Sequence, residues 1–539
     1  MGKVSNRCLL GRHAPLALSA LSSVVIAVSF FVDDLWWLSL VALSPVITGI
    51  CLHKRKGLYP ALSTWVFAFL MHLLLNLPLV PTIISLRSII ALPTHTAFVL
   101  SIFVLLLLAV FQSLFFMPLG FISLLASLEL GEIALAFLFA CGWALAEWAR
   151  SLGLMGSQWV CIAHAILPCT TMLQLAELVG VYGLCFCVVF ANGLFAMSLC
   201  AVLKREWRRA LFGVTAFAVL LLSWFFYGKW AMHQYEEELK DARKWSYLKV
   251  AIIQGNLSWR EKVDKGSFER AFELHMDMTA QALTDHPKIV VWPETTITAP
   301  LNEWDKAKLE LSDLARKHSV DLLIGAVERD RSGKIYNSCY GITAKGEFIG
   351  TYRKLRLVPF GEFVPLRKHV RFFERFAAHP QDFTHGEFVK PLRLQNTNAA
   401  LAICFDSLFP WITRLQVLRG ANSLVIITND EWFWGEWMAR EHADVAKLRA
   451  VESRLFLVRA ANSGISCIVN PLGKVEASLN LRERGKLIGT VGIPRGSHET
   501  FYVRFGDMVQ FTLTLLTATL TIIAFVKLCL HRPSTSFQS

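Results

Sequence analysis

The sequence predicts a polytopic α-helical membrane domain joined to an α/β domain that lies outside the membrane. Of the 539 residues, 54% are hydrophobic and only 18% are charged, a balance too apolar for an ordinary soluble protein. The apolar residues are concentrated in long runs that flank one polar block, residues 247–494. Within that block, short β-rich runs alternate with helical patterns, which is typical of a layered α/β domain.

The membrane part is predicted from the length of the apolar runs, since a helix needs about 20 apolar residues to cross a bilayer. Seven runs precede the polar block and one follows it, at residues 15–31, 35–52, 58–80, 97–117, 133–148, 175–203, 210–227 and 508–528. Residues 81–93 are also apolar, but Arg87 and the prolines favour a loop or a re-entrant segment. We therefore divide the chain into a membrane domain (1–230), an extracytoplasmic catalytic domain (231–507), and a C-terminal helix with a short tail (508–539).

The sidedness follows from the basic residues, because Lys and Arg in short loops mark the cytoplasmic face. They cluster before the first span, after the second, after the sixth and after the last: Lys3, Arg7 and Arg12; Lys54 to Lys56; Lys204 to Arg209; Lys527 and Arg532. Every cluster agrees with alternating crossings. Both termini are therefore predicted to be cytoplasmic and the polar block to lie on the opposite side. Ala27-Val28-Ser29 leaves open a cleaved signal, which would not change the side of the remainder.

The secondary structure of the polar block is predicted from its hydrophobic pattern. Strands are expected at residues 248–254, 289–292, 322–327, 337–343, 349–353, 400–404, 424–428 and 465–470, and helices at 268–284, 303–318, 411–418 and 441–460. Residues 471–474 (PLGK) indicate a hairpin turn.

Composition and cysteine spacing argue against nucleic-acid-binding and metal-binding proteins. The formal net charge of +13 is explained by basic loops beside membrane spans, and no basic run is interleaved with stacking aromatic residues, so no nucleic-acid partner is predicted. Most of the 12 cysteines lie in apolar runs, where a thiol is usually a small hydrophobic side chain. No Cys-x-x-Cys or His-x-x-x-His pair indicates a metal, and no cofactor is predicted.

Three groups with complementary chemistry each follow a predicted strand: Glu294, Lys354 and Cys404. In α/β sheets ligands gather beyond the carboxyl ends of strands, so these side chains, together with Asn429-Asp430, are expected to share one site. A thiol nucleophile needs a base for its proton, and an ammonium stabilises an oxyanion. The helix expected after Cys404, with Pro410 in its first turn, would lower the thiol pKa. Taken singly, Cys404 is explained about as well as a buried structural thiol, a lone Glu294 is better explained as a capping or surface carboxylate, and Lys354 could be a solvated lysine. Glu362 is a second carboxylate that could position Lys354 or the base, or pair with an arginine.

Several segments resemble the nitrilase (carbon–nitrogen hydrolase) superfamily and, within it, the apolipoprotein N-acyltransferases. In the polar block they are QGN (254–256), WPE (292–294), LVPFGE (357–362), ND (429–430) and YVRFGD (502–507); in the membrane part they are EWAR (147–150) and GVYG (180–183). The resemblance covers nearly the whole chain, and LVPFGE is its most specific segment.

This resemblance implies an α-β-β-α sandwich with a Glu-Lys-Cys triad. Glu294 would be the general base, Lys354 the oxyanion stabiliser, Cys404 the acylated nucleophile and Glu362 a supporting carboxylate. The reaction would be ping-pong acyl transfer from a phospholipid, typically phosphatidylethanolamine, to the amine of a diacylglyceryl-cysteine apolipoprotein. The protein would lie in a bacterial inner membrane, with the catalytic domain in the periplasm.

The chain departs from the family pattern near the site. Phe405 and Asp406 stand where relatives often carry Tyr-Glu, Trp432 lies in a loop with one apparent extra residue, and Trp259 appears earlier than the expected Trp. We expect these four residues to support the site or bind substrate. The aromatic segments 432–437 and 370–376 are expected to be either core or lids at the membrane surface.

Two other functions remain open at this stage. A membrane-anchored amidase would use the same triad with water as acceptor, although a small soluble substrate needs no spans. A transporter with an extracytoplasmic domain is disfavoured because the spans hold few charges for a substrate path. Glu147 lies near the end of a span, where it is expected to reach the membrane interface.

Overall fold

The protein is described by a computed structural model over residues 13–53, 57–85, 93–263, 266–365, 367, 382–433, 435–496 and 498–530. Within these residues ten helices precede the first strand: α1 Ala14–Phe31, α2 Ser44–His53, α3 Tyr59–Leu75, α4 Leu79–Ser85, α5 Thr94–Leu114, α6 Met117–Glu129, α7 Glu132–Arg150, α8 Thr170–Leu173, α9 Ala176–Leu203 and α10 Trp207–Leu239. Short 3₁₀ segments at Asp33–Leu40 and Ile162–Ile166 lie between them.

The predicted spans fall on these helices. Within the described residues, seven helices are long and apolar enough to cross a membrane, or eight if α3 and α4, bent by 47°, count as one broken span. The predicted loop at residues 81–93 is partly helical, because α4 continues to Ser85; residues 86–92 lie outside the described residues. α6 was not predicted as a separate helix, because the apolar run continues through the turn at Phe115 and Phe116.

The described residues of the catalytic domain form thirteen strands: β1 Trp245–Gln254, β2 Ile289–Val291, β3 Ile297–Pro300, β4 Asp321–Arg329, β5 Ile335–Ile342, β6 Phe348–Arg353, β7 Leu392–Arg393, β8 Asn398–Ile403, β9 Ser423–Thr428, β10 Leu457–Ala461, β11 Ser466–Val469, β12 Val475–Leu479 and β13 Gly485–Pro494. Its helices are α11 Trp259–Val263, α12 Ser267–Leu283, α13 Asp305–His318, α14 Pro410–Leu418 and α15 Glu436–Ser453, and α16 Phe501–Leu530 ends the described chain.

The strands form two sheets that pack face to face with helices outside, which confirms the predicted α-β-β-α sandwich. One sheet has seven strands in the order β13-β1-β2-β4-β5-β6, with β3 beside β4, and the other has six in the order β12-β11-β10-β9-β8-β7. Alternate residues of each strand face opposite layers. Thus Ile252 contacts the core between the sheets, whereas its neighbours Ala251 and Ile253 pack with α12 and α13.

One predicted helix was wrong in its extent. The pattern over residues 441–460 predicted a single helix, but α15 ends at Ser453. Arg454 then adopts a left-handed conformation with φ of 52°, and residues 457–461 form the buried strand β10. A continuous apolar run cannot distinguish a buried helix from a buried strand. β3, β7, β12 and β13 were also not predicted, whereas the hairpin turn at 471–474 is confirmed between β11 and β12.

The predicted domain boundaries fall within continuous helices. The boundary between residues 230 and 231 lies inside α10, whose 33 residues extend about 50 Å at 1.5 Å per residue, more than a bilayer core requires. The boundary between residues 507 and 508 likewise lies inside α16. The three-part division of the chain stays a prediction, with these helices passing from one part to the next.

Buried polar contacts join the membrane helices to the sandwich. Arg454 Nε donates to Glu177 Oε2 on α9 at 2.8 Å, and the Val181 N–H donates to Glu452 Oε1 at 3.0 Å. Trp437 Nε1 donates to the Phe30 carbonyl at 3.0 Å. Because unpaired polar groups are costly to bury, these contacts fix the catalytic domain on the helices.

The prediction that Glu147 reaches the membrane interface was wrong. Its side chain is fully buried and forms an ion pair with Arg150 at 2.6 Å, and it accepts a hydrogen bond from the Ile162 N–H at 3.2 Å. Arg150 also donates to the Trp159 carbonyl. Glu147 therefore orders the segment that follows α7, which reaches the catalytic site at Trp159.

Candidate active site

The predicted site residues meet at one edge of the sandwich. Glu294 follows β2 by three residues, Lys354 directly follows β6, Cys404 directly follows β8, and Asn429 directly follows β9. Two of these strands belong to each sheet. The carboxyl ends of the strands therefore bring together groups that are far apart in the sequence.

Lys354 is the centre of a buried cluster of charges. Its Nζ lies 2.9 Å from Glu294 Oε1 and 2.9 Å from Glu362 Oε1. Asn337, on β5, donates from the same Nδ2 to Glu294 at 2.7 Å and to Glu362 at 2.9 Å. An ammonium has three donors, so these two carboxylates leave one N–H of Lys354 for another acceptor.

Both carboxylates are held from a second direction. The Asn429 N–H donates to Glu294 Oε2 at 2.7 Å, and the Val358 N–H donates to Glu362 Oε2 at 2.9 Å. Burial by itself lowers the pKa of Lys354, but Glu294 and Glu362 outweigh burial and raise it well above its usual value. Lys354 is therefore a permanent cation in this site.

Cys404 occupies a strained turn. Its φ is 50°, a left-handed conformation that is uncommon outside glycine. The Ser407 hydroxyl donates to the Cys404 carbonyl at 2.7 Å, and His442 Nε2 lies 3.2 Å from the same oxygen. The predicted helix follows as α14, with Pro410 in its first turn. Such outliers persist where surrounding contacts hold them, and they cluster at functional sites.

The thiol is not acidic in this geometry, contrary to expectation. Burial raises the pKa of Cys404, and the Glu294 carboxylate raises it further, while Lys354 and the Thr428 hydroxyl oppose them only in part. The thiol is therefore neutral near pH 7. A neutral thiol needs a base to become a nucleophile, and Glu294 is the carboxylate with the largest effect on it.

A second buried network lies beneath Cys404. His442 Nδ1 lies 2.9 Å from Asp430 Oδ1, and Arg459 Nη2 donates to Asp430 Oδ2 at 2.8 Å. Burial alone would raise the pKa of Asp430, but Arg459 and His442 outweigh it and hold that pKa below its usual range. His442 and Arg459 were not predicted, since each is a single polar residue in a helical or apolar pattern.

Cys404, Asp430 and His442 also have the composition of a metal site. Their ligand atoms lie within 4.8 Å of one another. However, Thr428 and Arg459 already donate to the two oxygens of Asp430, and His442 Nδ1 faces that carboxylate. A buried Arg also disfavours a cation. The hydrogen bonds explain this cluster without an ion.

Asp406 and Phe405 occupy different surroundings. Asp406 is fully buried and accepts hydrogen bonds from the Tyr352 hydroxyl at 2.9 Å and the Arg356 N–H at 2.7 Å. Burial raises the pKa of Asp406 to about 6. It thus joins the turn of Cys404 to the segment of Lys354, a supporting position. Phe405 instead lines the cavity described next and packs edge-on against Phe409, with ring centroids 5.3 Å apart.

The predicted site residues line a cavity of about 960 Å³ that also contacts the membrane helices. Glu294, Lys354, Glu362 and Cys404 lie in its wall, as do the predicted Trp259 and Trp432, whose ring centroids are 5.1 Å apart. Opposite them, α5 contributes Val104, Leu107, Leu108, Phe111 and Gln112. This spacing is one face of a helix.

The cavity opens toward the surface of the membrane domain. Leu107 lines the cavity and yet is 58% exposed. Its neighbours on α5 that do not line the cavity, such as Phe103 and Leu106, are exposed apolar residues. An exposed apolar helix surface of this kind is typical of contact with lipid. The cavity therefore extends from Cys404 to a helix whose outer surface is apolar.

The aromatic segments are only partly described. Trp432 and Phe433 line the cavity, whereas Trp437 packs on Phe31 of α1, with ring centroids 4.8 Å apart. Trp434 and residues 370–376 lie outside the described residues. Their predicted role as lids stays a prediction.

Both halves of the chain match known protein families. Residues 249–498 match the Carbon-nitrogen hydrolase family, and residues 22–194 match the Apolipoprotein N-acyltransferase N-terminal domain. An apolipoprotein N-acyltransferase of Brucella suis is 30% identical over 406 residues, covering 73% of this chain and 73% of the relative.

The chain belongs to the apolipoprotein N-acyltransferase family.

Another member of this family, from Geobacter metallireducens, is 29% identical over 404 residues, covering 74% of this chain and 76% of the relative. Among solved structures, a carbon-nitrogen hydrolase from Helicobacter pylori is similar to part of the chain. It has a TM-score of 0.37 and 19% identity, covering 50% of this chain and 94% of that chain. With its apolar helices, the family places this chain among multi-pass bacterial membrane proteins.

Proposed function

We propose that this protein is an apolipoprotein N-acyltransferase that moves an acyl chain from a phospholipid, through a thioester on Cys404, to the N-terminal amine of a diacylglyceryl-cysteine lipoprotein. The observation that carries this proposal is the cavity that connects Cys404 with the inner face of α5. A soluble amide needs no such route, whereas an acyl chain anchored in a bilayer does.

In the first half-reaction, Glu294 takes the proton of Cys404 as the sulfur attacks the ester carbonyl of the donor. The carbonyl oxygen becomes an oxyanion, and Lys354 stabilises it with the N–H that its carboxylates leave over. The intermediate collapses with cleavage of the ester C–O bond, and Glu294 returns the proton to the leaving alkoxide. A lysophospholipid departs and the acyl chain stays on sulfur.

In the second half-reaction, the amine of the lipoprotein attacks the thioester carbonyl. Glu294 takes a proton from the attacking nitrogen, the oxyanion again forms beside Lys354, and the C–S bond breaks. The thiolate recovers its proton from Glu294, and the product is an amide. Glu362 holds Lys354 in place through their ion pair. Asn337 holds the two carboxylates in place, because it donates to both Glu294 and Glu362.

The proposed setting is the bacterial inner membrane with the catalytic domain in the periplasm and both termini in the cytoplasm. The basic loops support this orientation, and so does the chemistry, since the acceptor is a lipoprotein exposed outside the cytoplasm. Phosphatidylethanolamine is the proposed donor by family resemblance.

The test is transfer by the purified full-length protein in mixed micelles that contain phosphatidylethanolamine and a synthetic diacylglyceryl-cysteine peptide. We expect an N-acylated peptide and an equal amount of lysophospholipid, measured by mass spectrometry. Release of free fatty acid with no acylated peptide would instead identify a hydrolase and contradict the proposal.

A further inference from the structure

Lys262, on α11, is a buried cation in the active-site cavity that the proposed mechanism does not use. Its side chain is buried, with 3% of the residue exposed, and it lies in the cavity wall with Glu294 and Thr298. Across the described part of the chain, no group lies within hydrogen-bond distance of its Nζ. Burying an ammonium without a partner is costly in free energy. This cost points to a ligand that pairs with the Lys262 ammonium.

The other cations of the cavity already have partners. Among the described residues that line it, Lys354 is paired with Glu294 and Glu362, and Arg329 is paired with Glu303 at 3.0 Å. Glu431 and Glu294 attract Lys262 electrostatically but do not bond to it, and burial still lowers its pKa to about 8. Glu431 accepts from the Trp259 N–H instead, and burial raises the pKa of Glu431.

The cavity is amphipathic, with Lys262 among its polar residues. Thr295 and Thr298 also line the cavity, and the Thr298 hydroxyl donates to the Lys262 carbonyl at 3.2 Å, whereas α5 contributes apolar side chains. A ligand with an apolar chain and one anionic group matches this arrangement. The proposed acceptor presents an amine, which a lysine would repel, whereas the proposed donor carries a phosphodiester a few bonds from the reacting ester.

We propose that Lys262 binds the phosphodiester of the phospholipid donor and thereby sets the donor headgroup beside Glu294 while the acyl chain lies along α5. This inference rests on the proposed function and deepens it by naming the group that recognises the donor. The site selects for a phosphate-bearing lipid over an ester that lacks phosphate, and it makes no use of the amine of the headgroup.

The test compares two acyl donors on the full-length protein: phosphatidylethanolamine and p-nitrophenyl palmitate, an activated ester without phosphate. The measured quantity is the rate of Cys404 acylation by phosphatidylethanolamine divided by the rate with p-nitrophenyl palmitate, each at subsaturating donor. Lys262→Met should lower this ratio at least about 10-fold, the scale of one charge-assisted hydrogen bond. Lys262→Arg, which keeps the charge, should restore most of it, and Lys345→Met, at an exposed turn, should leave it as in the unmodified protein.

Turnover of p-nitrophenyl palmitate reports that each variant is folded. A ratio that is the same in Lys262→Met as in the unmodified protein would overturn the inference. If the unmodified protein is acylated by p-nitrophenyl palmitate and by no phospholipid, the proposed function itself fails.

Discussion

At the scale of single residues, the site combines a neutral nucleophile with a permanent cation. Burial and Glu294 keep the Cys404 thiol protonated, while two carboxylates keep Lys354 charged. In the proposed mechanism, this pairing assigns the activation of the thiol to Glu294, since Lys354 lowers the pKa of Cys404 only in part.

Replacing Glu294 by Gln should separate its role as a base from its effect on the thiol. Acylation of Cys404 should fall at least roughly 100-fold, the usual scale for loss of general-base help. The thiol should nevertheless react faster with iodoacetamide at pH 8, because the carboxylate that raises its pKa is gone. Single-turnover acylation and mass spectrometry of the alkylated peptide measure the two effects.

Glu476→Gln is the matched control, because Glu476 is an exposed carboxylate of the same domain. It should change neither rate. If Glu294→Gln acylates at the normal rate, another group is the base; if both reactions slow together with a loss of thermal stability, Glu294 has a structural role.

The pH dependence of alkylation tests the raised thiol pKa in the unmodified protein. A free cysteine has a pKa near 8.5, and burial together with Glu294 places the pKa of Cys404 above this. The thiolate fraction should therefore be small at pH 7 and still rising at pH 9. We expect the iodoacetamide rate at Cys404 to increase through this range without a plateau, and a plateau with a midpoint below pH 8 would contradict the geometry.

At the scale of elements, strand ends and one helix face define the site. The strand ends were predictable, because each of Glu294, Lys354 and Cys404 follows a β-rich run in the sequence. Asn337 was not, since it lies within β5 and meets Glu294 and Glu362, which follow β2 and β6, only when the sheet is assembled. His442 was missed for a similar reason, because α15 must dock before it reaches the Cys404 carbonyl.

The predicted and observed elements differ where local pattern and tertiary context compete. Residues 457–461 continue the apolar pattern of α15, yet they form a strand between β9 and β11. The cavity could not be predicted at all, because its walls come from α5 and from four separate strand ends. Lys262 was not predicted either, because nothing in its short polar segment distinguishes it from a surface lysine.

Filling the inner face of α5 should change which acyl chains are transferred. Leu108 lines the cavity, so Leu108→Trp should shorten the space available to the chain. We expect preference to shift several-fold from palmitoyl toward shorter-chain phospholipids when both compete. Liquid chromatography with mass spectrometry of the acyl-enzyme gives the ratio directly.

Leu106→Trp serves as the control, because Leu106 lies on the same helix, is 43% exposed and does not line the cavity. It should leave the chain preference as in the unmodified protein. An equal shift in both variants would mean that α5 acts through its position in the bilayer, and the assignment of its inner face to the acyl chain would be wrong.

At the scale of the whole molecule, the membrane and catalytic parts behave as one unit. Arg356, two residues after Lys354, donates to the Ser151 and Gly156 carbonyls beyond α7, and Arg454 pairs with Glu177 on α9. The membrane half therefore holds the segment that carries Lys354, and does more than anchor the enzyme. This coupling fixes the position of Lys354 relative to the membrane helices.

The orientation in the membrane is a prediction at this scale. Residues 54–56 and 204–209 should be cytoplasmic and the catalytic domain should be on the opposite side, because every basic cluster agrees with alternating spans. Alkaline phosphatase, which is active only outside the cytoplasm, should be active when fused after Tyr247 and inactive when fused after Arg205. The reverse pattern would invert the topology and exclude access to periplasmic lipoproteins.

The central claim is that Cys404 carries the acyl chain between two lipid substrates. The most direct measurement incubates the full-length protein with phosphatidylethanolamine and no acceptor, and then locates the acyl group by mass spectrometry. We predict one hydroxylamine-labile acyl group on Cys404, absent in Cys404→Ala, that transfers to the amine of a diacylglyceryl-cysteine peptide when the peptide is added. N-acylation of the peptide by Cys404→Ala at the normal rate, or an acyl group on Cys404 that the peptide cannot discharge, would contradict the account.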